Sequence, residues 1–107
     1  MTTIAIILFR NEQTLEQQHQ WWLEEHAPIA RKMPGLRSYV IHLSAKGEDG
    51  AEPEIAGIDF LKFDNWDSAQ IAYNSSEWKA AREHTAQSGA TALRTWISDT
   101  RHIVEEP

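Results

Sequence analysis

The chain has 107 residues, the size of one compact domain, and its formal net charge at pH 7 is -6. The excess of acidic side chains argues against a general affinity for DNA, RNA or anionic membranes. Because the sequence contains no cysteine, disulfides, thiolate metal sites and a cysteine nucleophile are excluded. No segment resembles a signal peptide or approaches the roughly 20 apolar residues of a membrane span. We therefore expect a cytoplasmic, single-domain protein comprising residues 1–107.

The first strand and the first helix are indicated by local patterns. The apolar run of residues 3–9, TIAIILF, predicts a buried strand. Thr14 and Gln17 form a capping-box pattern that predicts the start of a helix. Pro28 should kink this helix, and Pro34-Gly35 should end it. The residues that recur at helical spacing and predict its buried face are Leu15, His19, Trp22, His26, Ile29 and Met33.

Two more strands follow in the middle of the chain. Residues 36–44 and 56–63 read as strands, and the polar segment 45–54, which contains Gly and Pro, reads as a loop. Because side chains alternate along a strand, Tyr39 and His42 should point to opposite faces of the sheet. These two side chains are therefore not expected to share one pocket.

Helical segments and a last strand complete the predicted fold. Capping residues predict a short helix ending near Tyr73 and a longer one from Trp78 into the nineties, which Gly89 could interrupt. Residues 98–106 alternate enough to predict a final strand. The resulting βαββαβ order is that of a ferredoxin-like α+β fold with an antiparallel sheet. Its helices cover one sheet face, so we expect a homodimer that packs sheet against sheet.

Several short motifs carry a family resemblance. They are Trp22, His26-Ala27-Pro28-Ile29-Ala30, Met33-Pro34-Gly35-Leu36-Arg37 and Tyr39-Val40, with Ser76, Glu77 and Trp78 in the second helical region. Together these motifs resemble the EthD-like family of dimeric α/β barrel proteins, with relatives similar to methylmuconolactone isomerases, to decarboxylases and cyclases acting on polyketides, and to cofactor-free monooxygenases. The match is good over residues 1–45 and extends less strongly to the end of the chain.

The resemblance implies a pocket in each subunit, between the helices and the sheet. In the methylmuconolactone isomerases a histidine and a tyrosine at matching positions are implicated in activity, which would assign catalytic roles to His26 and Tyr39 here. The isomerases lack the complete His-Ala-Pro motif that begins at His26 in this sequence.

The residue types themselves allow the same chemistry. Histidine has a reference pKa of about 6.5, and burial favours its neutral, basic form. Pro28 would fix where the helix bends and so where His26 points, while Tyr39 would offer a neutral donor to an enolate or lactone oxygen. The alternative is structural: a buried histidine bonded to a backbone carbonyl, and a strand tyrosine that packs its ring.

The candidate substrate is a small apolar or aromatic compound. We expect Phe9, Trp22 and Ile29 to line its binding site, with Asp59 either on a polar rim or buried close to the pocket with a perturbed pKa. No His-x-x-x-His or His-x-His motif occurs, and His19 and His26 would lie about 10 Å apart along a helix. We therefore expect neither a metal nor a cofactor.

Three functions remain open from the sequence alone. The first is a cofactor-free isomerase, cyclase, decarboxylase or oxygenase that uses a pocket histidine for proton transfer. The second is a dimer that binds a small molecule without converting it. The third is a haem-handling protein of the same barrel architecture. One histidine and one tyrosine do not distinguish among them.

Overall fold

The computed structural model describes residues 1–106 as a four-stranded antiparallel sheet packed against helices. The strands are β1 (Thr2–Phe9), β2 (Ser38–Leu43), β3 (Ile55–Phe63) and β4 (Ala92–Ile97), arranged in the order β2-β3-β1-β4. The helices are α1 (Leu15–Trp21), a π-helical turn (Trp22–His26), α2 (Ala27–Ala30), α3 (Trp66–Tyr73) and α4 (Ser76–Gln87). This is the predicted ferredoxin-like α+β fold, with the second helical crossing divided between α3 and α4.

The helical arm, which consists of α1, the π-helical turn and α2, starts and bends where its sequence indicates. The Gln17 amide donates to Thr14 Oγ1, and the Thr14 amide donates to Gln17 Oε1, both at 3.1 Å. This confirms the predicted capping box. The bend is a π-helical turn, in which the Ala27 amide donates to the carbonyl of Trp22, five residues earlier. Pro28 follows directly and has no amide hydrogen with which to continue an α-helical pattern. His26 is therefore held at the end of an irregular turn.

Two predictions at the C-terminal end were wrong. The last helix ends at Gln87 instead of continuing into the nineties, because Gly89 adopts φ +80° and turns the chain away. The final strand is β4, and residues 98–106 contain no strand. The free edge of β1 is already paired along its length by β4, from Thr3 opposite Ile97 to Leu8 opposite Ala92. The place beside β1 that the predicted final strand would take is therefore already occupied by β4.

The two faces of the sheet differ in what covers them. One face packs against the helices through two clusters of buried side chains, one around Phe63 and Trp78 and the other around Trp22. Within residues 1–106, no helix or strand covers the opposite face, where Leu93 and Val40 are 57% and 44% exposed; Thr100 and His102 of the tail border part of it. We call it the bare face; its apolar members are Ala5, Ile7, Val40, Ile58, Phe60, Leu93 and Ile97.

Within residues 1–106, no helix combines the length and the apolar character needed to cross a bilayer.

Candidate functional site

A small cavity lies between the helix-facing side of the sheet and the helices. Its volume is about 30 Å³, which is room for one or two water molecules. Most of its wall is apolar, formed by side chains that include Leu8, Trp22, Met33, Leu61 and Trp78. Its polar lining consists of His26, Tyr39, Asp59, Arg82, Thr85 and Arg94. The cavity is thus an apolar enclosure into which a few polar groups project.

Four of the residues singled out by the sequence line this cavity together. His26 comes from the π-helical turn, Trp22 from its first position, Tyr39 from β2 and Asp59 from the centre of β3. Tyr39 and Asp59 reach it from neighbouring strands, because β2 and β3 pair with Tyr39 opposite Leu61 and Ile41 opposite Asp59. The fold therefore places a base, a phenol and a carboxyl around one space.

The other two residues, Phe9 and Ile29, do not line the cavity. Leu8 occupies the cavity wall instead of Phe9, as expected from the alternation of neighbouring side chains along a strand. Ala30 takes the place predicted for Ile29. A π-helical turn uses about one residue more than an α-helical turn, so the inward-facing position after His26 moves on by one.

His26 is the buried base of the site. Its side chain is 9% exposed, and burial lowers its pKa to about 4, with smaller contributions from His84 and Arg94. Its Nδ1 lies 2.9 Å from Nδ1 of His84, while its Nε2 forms no hydrogen bond with any residue from 1 to 106. At neutral pH His26 is therefore an uncharged imidazole, and in the tautomer with its hydrogen on Nδ1 its Nε2 is free to accept a proton.

Three buried polar atoms around the cavity also have no partner among the described residues. They are Tyr39 Oη, Asp59 Oδ1 and Arg94 Nε. A buried polar atom without a hydrogen bond costs about 1–3 kcal/mol, so three of them around one space are unusual for a region that serves packing alone. Together they offer hydrogen bonds to the oxygen atoms of a bound molecule.

The protonation states of these groups suit such a role. Burial raises the pKa of Asp59 to about 7, and the positive charge of Arg94 opposes that rise only in part. Burial also raises the pKa of Tyr39, and the charge of Asp59 adds to the effect. Near pH 7 the cavity therefore contains a neutral phenol, a carboxyl group close to half-protonation and a guanidinium. This set can stabilise an oxygen on which negative charge develops.

Sequence reasoning missed two residues of the site, Arg94 and His84. The predicted last helix runs too far and includes Arg94. Ala92, Arg94 and Trp96 lie at every second position, which is the spacing of one face of a strand and could have indicated β4. His84 lies within α4. It stands 58 positions from His26 in the sequence, and no local pattern joins the two.

The remaining histidines near the fold's core serve other contacts. His19 Nε2 lies 2.7 Å from the carbonyl oxygen of Ala56 and so ties α1 to β3. His42 is on the bare face, edge-on to Phe60, which agrees with its predicted placement opposite to Tyr39. Neither side chain lines the cavity.

The antiparallel sheet with its strand order and helical layer defines this chain as a ferredoxin-like α+β protein with a buried cavity. The model of the EthD domain family matches residues 10–87. The chain therefore belongs to the EthD family. Among the curated proteins, the search found no significant match.

Solved structures of similar fold include three that are informative. An EthD family protein from Bacillus halodurans C-125 has a TM-score of 0.70 at 21% identity, over 89% of this chain and 97% of that one. SnoaB, a cofactor-independent oxygenase from Streptomyces nogalater, has a TM-score of 0.62 at 10% identity, over 97% and 98%. A dimeric protein of unknown function and ferredoxin-like fold from Bacteroides fragilis has a TM-score of 0.56 at 16% identity, over 90% and 96%. At these identities the likeness shows a shared fold.

Proposed function

We propose that this protein is a cofactor-independent enzyme that moves a proton on a small, largely apolar cyclic or aromatic compound. The observation that carries the proposal is the cavity that joins the neutral base His26 to the unpartnered polar atoms of Tyr39, Asp59 and Arg94. Membership of the EthD family and the fold shared with a cofactor-independent oxygenase support the same class.

In the proposed reaction, His26 Nε2 removes a proton from a carbon next to a carbonyl group. Negative charge then develops on the carbonyl oxygen, where Tyr39 and Arg94 donate hydrogen bonds and Asp59, when protonated, donates another. General base catalysis of this kind contributes typically about 10²–10⁴-fold, and oxygen stabilisation in an apolar enclosure adds to it. Isomerisation, cyclisation and oxygenation can each proceed through such a carbanion, whereas a decarboxylation would form it by loss of CO₂ and use the same oxygen-stabilising groups.

The substrate must displace side chains to enter, because a cavity of about 30 Å³ is smaller than one aromatic ring. Tyr39 lines this cavity and also an outer groove, formed with Leu23, Pro28 and Leu36 between the helical arm and β2. A change in the Tyr39 rotamer would therefore join groove and cavity. We propose that the substrate enters along this route and ends with its oxygen against Tyr39.

Hydrogen–deuterium exchange tests the proton-transfer step without knowledge of the natural substrate. Three ketones with acidic C–H groups and increasing size, 2-indanone, 2-tetralone and anthrone, are incubated with the protein in D₂O and followed by ¹H NMR. We expect the wild type to speed exchange of at least one of them about 100-fold over His26→Asn. The matched control is His102→Asn in the exposed tail, which should keep the wild-type rate.

Exchange equal in the wild type and in His26→Asn for all three ketones contradicts the enzyme proposal. Binding of a ketone without any acceleration contradicts it as well and points to a carrier. A Soret band that appears on addition of haem and is lost in His26→Asn would instead favour a haem-handling role.

We also propose that two chains associate through the bare face. The exposure of Leu93 and Val40, 57% and 44%, supports this, as does the dimeric state of the Bacteroides fragilis protein of the same fold. Sedimentation should show a dimer for the wild type and a monomer for Leu93→Asp. Ile71→Asp on α3, where the side chain is 66% exposed away from the sheet, is the control and should stay dimeric. A monomeric wild type overturns this proposal.

A further inference from the structure

The hydrogen bond between His26 and His84 connects the cavity with the outside of the helical layer. Their Nδ1 atoms are 2.9 Å apart, so one nitrogen carries a hydrogen and the other accepts it. His26 lines the cavity, whereas His84 does not and is only half-buried on α4. The pair therefore spans the distance between an enclosed site and a position near the surface.

The indole of Trp21 holds both imidazole rings in one orientation. Its ring centroid lies 5.0 Å from that of His26 and 5.1 Å from that of His84, with interplanar angles of 20° and 10°. The two imidazoles are themselves within 11° of parallel. An aromatic face next to a ring also favours a positive charge on that ring. This arrangement keeps the two nitrogens aligned and tolerates a transient cation.

The charges around His26 favour movement of a proton away from the cavity. The groups that share its surroundings are Tyr39 on β2, Asp59 on β3, Arg94 on β4 and Arg82 on α4. Two of them are cations, and burial further disfavours a charged imidazole at position 26. These surroundings therefore disfavour a proton that remains on His26 as a positive charge.

We propose that His84 is a positioning and proton-relay residue that carries the proton accepted by His26 out to solvent. This inference rests on the proposed function. In the resting pair, Nδ1–H of His26 donates to Nδ1 of His84, and Nε2 of His26 has a free electron pair.

The proposed relay moves one proton from the substrate to water in three transfers. His26 Nε2 takes the proton of the substrate C–H bond, and the bonding electron pair stays on the substrate. The Nδ1 proton of His26 passes to Nδ1 of His84, which releases its Nε2 proton to water. The substrate has lost one proton and water has gained one, while both rings are neutral again with exchanged tautomers. His26 now carries the hydrogen from the substrate on Nε2, and as a neutral imidazole it is a much weaker acid than the imidazolium that a transfer without the relay would leave.

A relay has a consequence that a merely structural contact lacks. With the relay, His26 is a neutral imidazole again after the transfer, so it does not return the proton at once, and the carbanion takes up deuterium from solvent. Without it, His26 gives the same proton back, and little deuterium enters the substrate even though its C–H bond still opens. The distinguishing quantity is therefore deuterium incorporation and its dependence on added proton carriers.

The test uses His84→Asn, whose side-chain amide can still bond to Nδ1 of His26 but is neither an acid nor a base near neutral pH. Deuterium uptake by the ketone that the wild type exchanges best is measured in D₂O at low buffer and again with added imidazole. We expect uptake to fall about 10-fold in His84→Asn at low buffer and to recover with imidazole. The control His102→Asn should match the wild type under both conditions.

The outcomes separate this inference from the proposed function. If the wild type exchanges no faster than His26→Asn, the proposed function fails. If the wild type exchanges and His84→Asn equals it at every buffer concentration, or falls without recovery in imidazole, the relay alone is overturned. Should His84→Asn not fold, His84→Gln takes its place. Long-range ¹H–¹⁵N NMR of the imidazoles also tests the pair directly, since two independent rings with no shared hydrogen would overturn it.

Discussion

The indole of Trp22 lies directly over Gly57 of β3, so that a β-carbon at position 57 would stand 2.7 Å from Trp22 Cζ3 and in closer conflict with the carbonyl oxygen of His42. Trp22 is 1% exposed and lines the cavity. The absence of a side chain at position 57 therefore allows the π-helical turn to approach the sheet. The geometry of the site depends on this contact.

Gly57→Ala should destabilise the protein by about 1–3 kcal/mol, because either the tryptophan or the β2–β3 backbone must move. Urea unfolding measures the change. Gly47→Ala is the control, since the nearest atom there belongs to the side chain of Asp49, which can shift. Equal stabilities of the two variants would contradict the proposed role of Gly57.

Asp59→Asn should stabilise the protein at high pH only. The folded state raises the pKa of Asp59 from 3.8 to about 7, so its contribution to stability is present near pH 4 and is lost as the pH rises to about 7. The resulting cost above pH 7 is at most about 4 kcal/mol. We expect little difference from the wild type at pH 4 and a gain of about 1–3 kcal/mol at pH 8.

Urea unfolding at the two pH values checks this, with the exposed Asp67→Asn as control. A gain of the same size at pH 4 and pH 8 would show that the carboxyl group of Asp59 does not titrate as proposed.

The effect of His26 on the pH dependence of stability should be opposite to that of Asp59. Its pKa is lowered from 6.5 to about 4 in the folded state, so the unfolded state binds a proton first as the pH falls. The stability that neutral His26 contributes is present above about pH 6.5 and is lost on acidification toward pH 4, by at most about 3 kcal/mol. This loss partly cancels the gain from Asp59 in the wild type.

The difference in unfolding free energy between the wild type and His26→Asn should therefore shrink from pH 7 to pH 4.5. Urea titrations at intermediate pH values measure it, and His102→Asn provides the comparison for a solvated histidine. A difference that stays constant over this range would contradict the lowered pKa of His26.

Thr14→Ala removes half of the capping box that starts α1. The hydroxyl of Thr14 accepts from the Gln17 amide at 3.1 Å, and loss of such a cap costs about 1 kcal/mol. A thermal or urea unfolding experiment should resolve this against Thr100→Ala, which lies in the exposed tail outside any helix or strand. Indistinguishable variants would show that α1 does not depend on its cap.

Most of the fold follows from local sequence. The apolar run of β1, the capping box at Thr14 and the alternation along residues 38–43 each specify an element through near neighbours in the chain. The prediction failed at the C-terminal end, where the helix was extended past Gln87 and the strand was placed at residues 98–106. Which of two alternating segments becomes the edge strand is decided by pairing with β1, far away in the sequence.

In the candidate site, too, some features follow from local sequence and others from contacts between distant parts of the chain. From local patterns alone, His26 and Tyr39 stand in motifs of the family, His26 lies on a buried helical face, and His42 faces away from Tyr39. The tertiary structure decided which side chains meet. Strand pairing brings Arg94 to the cavity, the π-helical turn replaces Ile29 by Ala30, and the packing of α4 on that turn joins His84 to His26. These contacts depend on the relative positions of elements, which only the packing of the whole chain determines.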